Sequence, residues 1–237
     1  MINFFRKIRK KLLSEGKKMN YIKYALGEII LVVIGILIAL QVNNWNENRK
    51  MQQKRLVFLN SVKQDLTNDK IQLQKIIDYQ TKKLALVNEL KDELIADKKD
   101  FKQIETLFNI IQNTSNSTFF ANTGAYSSTG SSGILEGLKP ESLKIAITTL
   151  YERYYKRLIY NGEVYDNRTD DIVMQRGKFY NKLASSLTNE AVIEDSEFIN
   201  LTSIALFNNQ NYVNLSSTTK KEIEKVIAQI EENLKTQ

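Results

Sequence analysis

Residues 24–42 read YALGEIILVVIGILIALQV, and this stretch decides how the rest of the chain is organised. As an α-helix its 19 residues span roughly 28 Å, which matches a bilayer hydrocarbon core about 30 Å thick. Residues 29–40 contain no strongly polar side chain, and each large apolar residue there favours insertion by about 0.3–0.6 kcal/mol. Glu28 opposes insertion, but it lies one turn inside the span, where a carboxylate reaches the headgroups. Trp45 follows at the position of an interfacial aromatic anchor. The pattern predicts a transmembrane helix at residues 24–43.

Two other interpretations of this stretch remain open. A cleaved signal peptide shares the basic start and the apolar centre, but residues 38–47, IALQVNNWNE, lack small residues at the −3 and −1 positions of a cleavage site. A buried helix of a soluble protein is rarely apolar on every face over such a length. A retained signal anchor is therefore the favoured interpretation.

The basic residues of the chain are concentrated at its N-terminus. Residues 1–24 hold eight Lys and Arg side chains against one acidic side chain, and the remaining residues hold 26 of each sign. Four basic residues follow the span between Arg49 and Arg55, fewer than precede it. The positive-inside rule then predicts a cytoplasmic N-terminus and a C-terminal domain on the outer side of the membrane. Because that domain has no excess of basic residues, nucleic acid is not an expected partner.

Residues 1–23 form a basic segment with a helical pattern of their own. Apolar side chains recur at helical spacing from Ile2 to Leu13, with Arg and Lys filling the other side. This pattern predicts an amphipathic helix on the cytoplasmic leaflet, where each basic residue contributes about 1 kcal/mol to binding. The alternative is a cluster of charges that orients the span and has no stable structure in water.

Residues 27–47, GEIILVVIGILIALQVNNWNE, fit the pattern GEIxLVxxGILIALQxNNWNE. This pattern resembles the N-terminal signature of a bacterial family of single-pass inner-membrane proteins, which is a domain of unknown function. The resemblance covers roughly residues 3–50. A weaker likeness involves Tyr126, the Ser132–Gly133 turn and the Tyr154–Tyr155 pair. The resemblance implies an inner-membrane anchor followed by a helical periplasmic domain, and it implies no activity.

A long amphipathic helix is predicted after the span, because residues 46–98 contain neither Pro nor Gly. A 3.5-residue repeat that starts at Leu59 and ends at Leu94 visits eleven positions, of which eight are apolar. The exceptions are Asp69, Gln80 and Lys83. This seam indicates a helix that continues from the span and packs on a neighbouring helix, as in a coiled coil.

Further helices are predicted along the rest of the chain. Residues 101–112 form a short amphipathic helix, and the following helix begins near Pro140 and runs to about Leu187. Its apolar stripe consists of Leu143, Ile147, Leu150, Tyr154 and Leu158, and Gly162 is expected to bend or break it. After these comes a short helix at Asp195–Phe207, with Asp195 or Ser196 as its N-cap. An Asn-rich turn, NNQNYVN at residues 208–214, then leads to a final helix that starts from a capping box at Thr219–Glu222. The predicted fold class is all-α: a transmembrane helix and an extracytoplasmic helical bundle at residues 44–237.

Residues 113–139 differ in composition from the predicted helices, since they hold four of the nine glycines and many Ser, Thr and Asn residues. Loops of this length in compact domains often bind ligands. Phe119, Phe120 and Tyr126 are candidates for an apolar pocket edged by hydroxyl groups. The alternative is a connector whose aromatic rings cover the end of the bundle.

A polar stretch interrupts the apolar stripe of the helix that follows Pro140. If these side chains are buried and paired, they specify helix register or bind a ligand; if they are exposed, they are simply solvated. The candidates for this polar network are Asn161, Asp166, Arg168, Asp170 and Asp171.

Residue types that carry much of enzyme chemistry are missing. The chain has no Cys and no His, which excludes a thiol nucleophile, a Ser-His-Asp triad and a His-ligated or Cys-ligated zinc site. It also contains no EF-hand spacing and no paired acidic motif. We therefore expect no catalytic residue, no cofactor and no metal site.

Self-association is expected within the membrane. Gly35 and Ala39 are four residues apart and share one face of the helix, which is the arrangement that lets two backbones approach in lipid. Glu28 is less costly when it faces protein than when it faces lipid. The predicted function is a membrane-anchored interaction or scaffold module whose partners are the bilayer, a second copy and other envelope proteins. The alternative is a periplasmic ligand-sensing domain that signals through a partner protein.

Overall fold

The computed structural model describes residues 18–114, 116–130 and 133–236. Within these residues the α-helices are α1 (Lys18–Ile95), α2 (Phe101–Gln112), α3 (Gly124–Ser127), α4 (Glu141–Thr149), α5 (Lys156–Arg176) and α6 (Ser196–Lys235). A π-helical turn at Leu150–Tyr155 lies between α4 and α5, and a 3-10 helix at Glu190–Glu194 precedes α6. The strands β1 (Tyr180–Asn181) and β2 (Ser186–Leu187) form a minimal antiparallel hairpin. The all-α prediction is confirmed apart from this hairpin. The amphipathic helix predicted between Ile2 and Leu13 lies outside the described residues.

The chain divides into two compact units, one that ends at Lys54 and one that begins at Arg55. In the first unit, α1 carries the one stretch among the described residues that is long and apolar enough to cross a bilayer. The mean hydropathy of its most apolar 18-residue window is 2.6, and none of that window is buried.

The second unit has two separate apolar cores. Core A is built mainly from the part of α1 near Arg55, from the helices that follow Pro140 and from the C-terminal half of α6; its fully buried members include Leu59, Leu66, Leu73, Leu143, Ile147, Tyr155 and Ile223. Core B joins the end of α1 to α2, the hairpin and the start of α6; its members include Leu90, Ile104, Phe108, Leu187 and Phe198.

The seam predicted along α1 is confirmed. All eleven positions from Leu59 to Leu94 are buried, and the most exposed of them, Lys83, retains 8% of its accessible surface. The three polar exceptions are therefore inside the protein: Asp69 and Gln80 are fully buried, at 0% exposed.

The apolar stripe predicted after Pro140 is confirmed at four of its five positions. Leu143, Ile147, Leu150 and Leu158 are buried as expected. At the fifth position Tyr154 is only half-buried, and its neighbour Tyr155 is buried instead. Both tyrosines lie in the π-helical turn at Leu150–Tyr155. The expected break at Gly162 is wrong, since α5 runs through this residue without interruption.

The two helices predicted after Asp195 are in fact one. Asp195 is the N-cap, as predicted, because its carboxylate accepts hydrogen bonds from the Glu197 and Phe198 N–H groups. The helix then continues through the Asn-rich stretch that suggested a turn, and the predicted capping box at Thr219 lies inside it. The physical reason is that Asn208 and Asn209 are buried and hydrogen-bonded within the bundle, so they do not end the helix.

Candidate functional site

A segment of extended chain, residues 116–123, runs antiparallel to α1 and is held by polar side chains of that helix. Gln72 forms a reciprocal pair with the Phe120 backbone: its Oε1 accepts from the Phe120 N–H at 2.8 Å, and its Nε2 donates to the Phe120 carbonyl at 3.0 Å. Asp65 Oδ2 accepts from the Ala125 N–H at 3.2 Å. The backbone hydrogen bonds that a neighbouring strand would normally make are thus made by helix side chains, which fixes this part of the loop.

Asp69 is the most highly connected residue of this arrangement. Its carboxylate accepts from the Asn122 Nδ2 at 2.6 Å, from the Asn122 backbone N–H at 3.1 Å and from the Tyr155 hydroxyl at 2.7 Å. Burial raises the pKa of Asp69, and the hydrogen bonds from Tyr155 and Asn122 oppose that shift. Burial and the adjacent carboxylate of Asp69 raise the pKa of Tyr155 as well. Tyr155 therefore acts as a neutral donor to a carboxylate inside core A.

A second polar cluster, which we call the polar layer, lies between core A and core B. The Gln80 Oε1 accepts from the Tyr165 hydroxyl at 3.1 Å and from the Asn209 Nδ2 at 3.0 Å, and the Gln80 Nε2 donates to the Ser117 carbonyl at 2.9 Å. The Tyr165 ring stacks on the Tyr212 ring with a centroid separation of 5.0 Å. Gln80, on α1, thus contacts α5, α6 and the extended segment.

Two cationic side chains belong to the same layer. The Lys83 Nζ donates to the Asn116 Oδ1 at 3.2 Å and lies 5.9 Å from the centre of the Tyr165 ring. The guanidinium carbon of Arg176 lies 5.0 Å from the centre of the Phe108 ring. Both side chains line a cavity of about 40 Å³.

The electrostatic environment disfavours both charges. Burial, together with the positive charge of Arg176, lowers the pKa of Lys83 to about 8, and Asp166 partly offsets this effect. Burial alone lowers the pKa of Arg176 to about 10. At neutral pH both groups still carry their protons, so the polar layer holds two adjacent positive charges.

The structure does not bring the three aromatic rings of the predicted loop pocket together. Phe119 is buried and contacts Tyr155 edge to face, with ring centroids 5.3 Å apart, whereas Phe120 is 78% exposed. The Tyr126 ring stacks on the Tyr151 ring at 4.2 Å. Phe119 and Tyr126 thus contribute to the packing of core A, in the manner of the connector that was the alternative prediction.

The residues of the predicted polar network are dispersed. The Asp166 Oδ2 accepts from the Thr118 hydroxyl at 3.0 Å, and the Arg168 Nη1 donates to the Asn208 Oδ1 at 3.1 Å. Asn161 and Arg168 line a separate shallow cavity of about 60 Å³ between α5 and α6. Asp170 and Asp171, the remaining members of the predicted set, are exposed.

The candidate residues of the span lie in or next to the apolar window of α1, none of which is buried. Apart from the neighbouring residues and the local backbone of the helix itself, no described atom lies within 4 Å of the position that a Cβ would take on Gly35. Ala39, one turn further, is exposed. Glu28 is half-buried within the first unit. Trp45 is 64% exposed, and the guanidinium carbon of Arg49 lies 5.7 Å from its ring centre.

The α1 residues at the centre of the two polar clusters were not among the predicted site residues. Asp69, Gln80 and Lys83 did leave a signal in the sequence, because they are the three polar side chains on an otherwise apolar seam. A polar residue at a seam position is buried when the helix packs, and it then requires a partner. Among the described residues, there is no group of three or more His, Cys, Asp or Glu side chains that could hold a metal ion.

The described residues define a class of protein: a helical bundle with two apolar cores and a buried polar layer, which follows an exposed apolar helix in the chain. Within that class the particular family can be stated. A model described as "Family of unknown function (DUF6090)" matches residues 28–210, and the chain belongs to this family. The predicted membership of an uncharacterised domain family is confirmed at this level. Comparisons with curated proteins and with solved structures found no match.

Proposed function

We propose that this protein is a membrane-anchored helical interaction module of the bacterial inner membrane, with a cytoplasmic N-terminus and its second unit in the periplasm. The observation that carries the proposal is the contrast between the two units. The second unit buries its own apolar side chains in two cores, whereas the most apolar window of α1 is not buried at all. Such a surface is stable in lipid and not in water.

The energetics of the apolar window support the anchor. Residues 29–40 carry ten large aliphatic side chains, and each favours insertion by about 0.3–0.6 kcal/mol, so the helix gains roughly 3–6 kcal/mol. Glu28 offsets at most about 3 kcal/mol of this gain, and less near the headgroups. The balance favours insertion of a retained span over exposure to water.

Fusion of topology reporters to the C-terminus tests the orientation. A reporter that is active only in the periplasm should be active after Gln237, because the excess of basic residues precedes the span. A cytoplasmic reporter at the same position should be inactive and serves as the matched control. Activity of the cytoplasmic reporter would contradict the proposed orientation.

The module is proposed to self-associate through its span. Gly35 and Ala39 leave room on one face of α1, which supports close approach of a second copy in lipid. Replacing Gly35 by Ile should lower the oligomeric mass measured by light scattering in mild detergent, whereas Leu37→Ile, on the opposite face, should leave it unchanged. If light scattering shows that the parent protein is monomeric, the proposed self-association is wrong and the span is only a membrane anchor.

A ligand-sensing domain that signals through a partner protein is the second candidate function. The specific observation in its favour is the cavity lined by Lys83 and Arg176. Purification of the full chain under mild detergent distinguishes the two functions. Stoichiometric protein partners favour the interaction module, and a retained small molecule favours the sensor. Neither function includes a catalytic step.

A further inference from the structure

Two cationic side chains lie in the interior of the helical bundle without a carboxylate in contact. Arg176 is 2% exposed and Lys83 is 8% exposed. None of the ion pairs within the described residues includes either side chain. Asp166 attracts Lys83 only at longer range, and one of its oxygens already accepts from Thr118. The other oxygen of Asp166 is buried and accepts no hydrogen bond from the described residues, so this carboxylate offsets the two positive charges only in part. A buried charge without a contacting partner is costly, and a second anion between Lys83 and Arg176 would lower that cost.

The guanidinium of Arg176 has unused capacity for hydrogen bonding. Its Nη1 contacts the Gln112 Oε1 at 3.3 Å. Its Nη2 contacts the Leu201 carbonyl at 3.5 Å and the Thr202 hydroxyl at 3.4 Å, which are both long. The Nε is buried and has no hydrogen-bond partner among the described residues. An edge of the guanidinium that includes Nε is therefore available to a planar, two-oxygen acceptor.

Lys83 and Arg176 line the same cavity, whose volume is about 40 Å³. The other residues that line it are neutral, and they include Thr114, Thr169 and Asn209. One water molecule needs roughly 10–15 Å³ of such volume, so the cavity accommodates about three water-sized groups. That is the size of a carboxylate with one attached carbon.

We propose that this cavity binds the carboxylate of a small organic acid, held between the Lys83 ammonium and the Nε edge of Arg176. The planar carboxylate matches the guanidinium fork, and its negative charge partly offsets the two positive charges, neither of which makes an ion pair among the described residues. Asn209, whose Oδ1 also has no hydrogen-bond partner among the described residues, lines the same cavity. The inference goes beyond the interaction module, because it requires neither the bilayer nor a second copy, and it names a ligand class for the cavity on which the ligand-sensing candidate rests.

Thermal unfolding of the full-length protein in mild detergent tests the site, with sodium acetate replacing sodium chloride at constant ionic strength and pH 7. At a concentration ten times the dissociation constant, acetate should raise the unfolding midpoint by roughly 3–6 °C, and the effect should saturate. Lys83→Met should abolish this shift and should unfold no lower than the parent without acetate, since it removes a buried charge. Lys82→Met, which changes the exposed neighbouring lysine, is the matched control and should retain the shift.

Three results would overturn the proposal: no saturable shift in the parent, equal shifts in the Lys83 and Lys82 variants, or a shift with inorganic phosphate and none with acetate. If Lys83→Met does not fold, Arg176→Lys takes its place, because it keeps the charge and removes the fork. Calorimetric titration should then show acetate binding at least tenfold weaker than in the parent, and unchanged binding would contradict the site. These outcomes are independent of the topology and of the oligomeric state.

Discussion

The hydrogen bond between Tyr155 and Asp69 gives the sharpest test of the interior of the second unit. Tyr155→Phe removes one oxygen atom from a side chain that is 1% exposed and leaves the packing of core A otherwise unchanged. The lost bond is a 2.7 Å contact to a carboxylate, and both side chains are buried, so Asp69 loses this donor inside the protein. Hydrogen bonds to charged groups contribute about 1.5–3 kcal/mol, so we expect the free energy of unfolding to fall by about 2 kcal/mol.

Urea unfolding of the full chain in mild detergent, followed by near-ultraviolet circular dichroism of the tyrosines, measures this loss. With a slope of about 2–3 kcal/mol per molar urea, the midpoint of Tyr155→Phe should fall by roughly 0.7–1 M. Tyr154→Phe is the matched control: this neighbouring ring is half-buried, and its hydroxyl makes no hydrogen bond among the described residues. Its effect should stay below about 0.5 kcal/mol. If the two variants lose equal free energy of unfolding, the hydrogen bond between Tyr155 and Asp69 is refuted, and so is the burial of Tyr155 in preference to Tyr154.

The pH dependence of the Tyr155→Phe deficit provides a second, independent measurement. Because burial raises the pKa of Asp69 above its ordinary value of 3.8, the ionised carboxylate carries a cost that is absent below that value and appears as the pH rises through the folded-state pKa. Loss of the hydrogen bond from Tyr155 enlarges that cost. The stability difference between parent and variant should therefore be smaller at pH 4 than at pH 7. A deficit that does not change with pH would show that Tyr155 does not act through the carboxylate.

Two further predictions concern Lys83 and Gly162, which are both buried in the second unit. Burial and Arg176 lower the pKa of Lys83 to about 8, so the folded chain loses this proton before the unfolded chain does. Stability measured without added carboxylate should therefore rise between pH 7.5 and 9.5, and Lys83→Met should flatten that rise; parallel slopes would contradict it. Gly162→Ala places a methyl group 3.4 Å from the Tyr212 hydroxyl, an ordinary contact, and removes a glycine from a helix interior. The thermal midpoint should rise by about 1–3 °C, and a fall would mean that α5 approaches Tyr212 too closely for a side chain.

The helical segments with strong periodicity could be predicted from the sequence because their signals are local. The seam from Leu59 to Leu94 repeats every 3.5 residues whatever the partner helix is, and all of its positions are buried in the structure. The N-cap at Asp195 is another local signal, since a carboxylate one residue before the helix satisfies the first free N–H groups. The prediction failed where a local signal disagreed with the tertiary structure. Asn208 and Asn209 favour a turn by residue type, but they lie inside α6.

The sequence by itself determined that the chain has an apolar helix able to cross a bilayer, a basic segment before it and a long amphipathic seam after it. Only the tertiary structure decided which polar residues form the interior site. Gln80 meets Asn209, which is 129 residues away along the chain, and Lys83 meets Asn116, 33 residues away. The physical reason is that a polar side chain on an apolar seam can be buried only if a partner reaches it, and neither spacing nor composition shows where that partner lies.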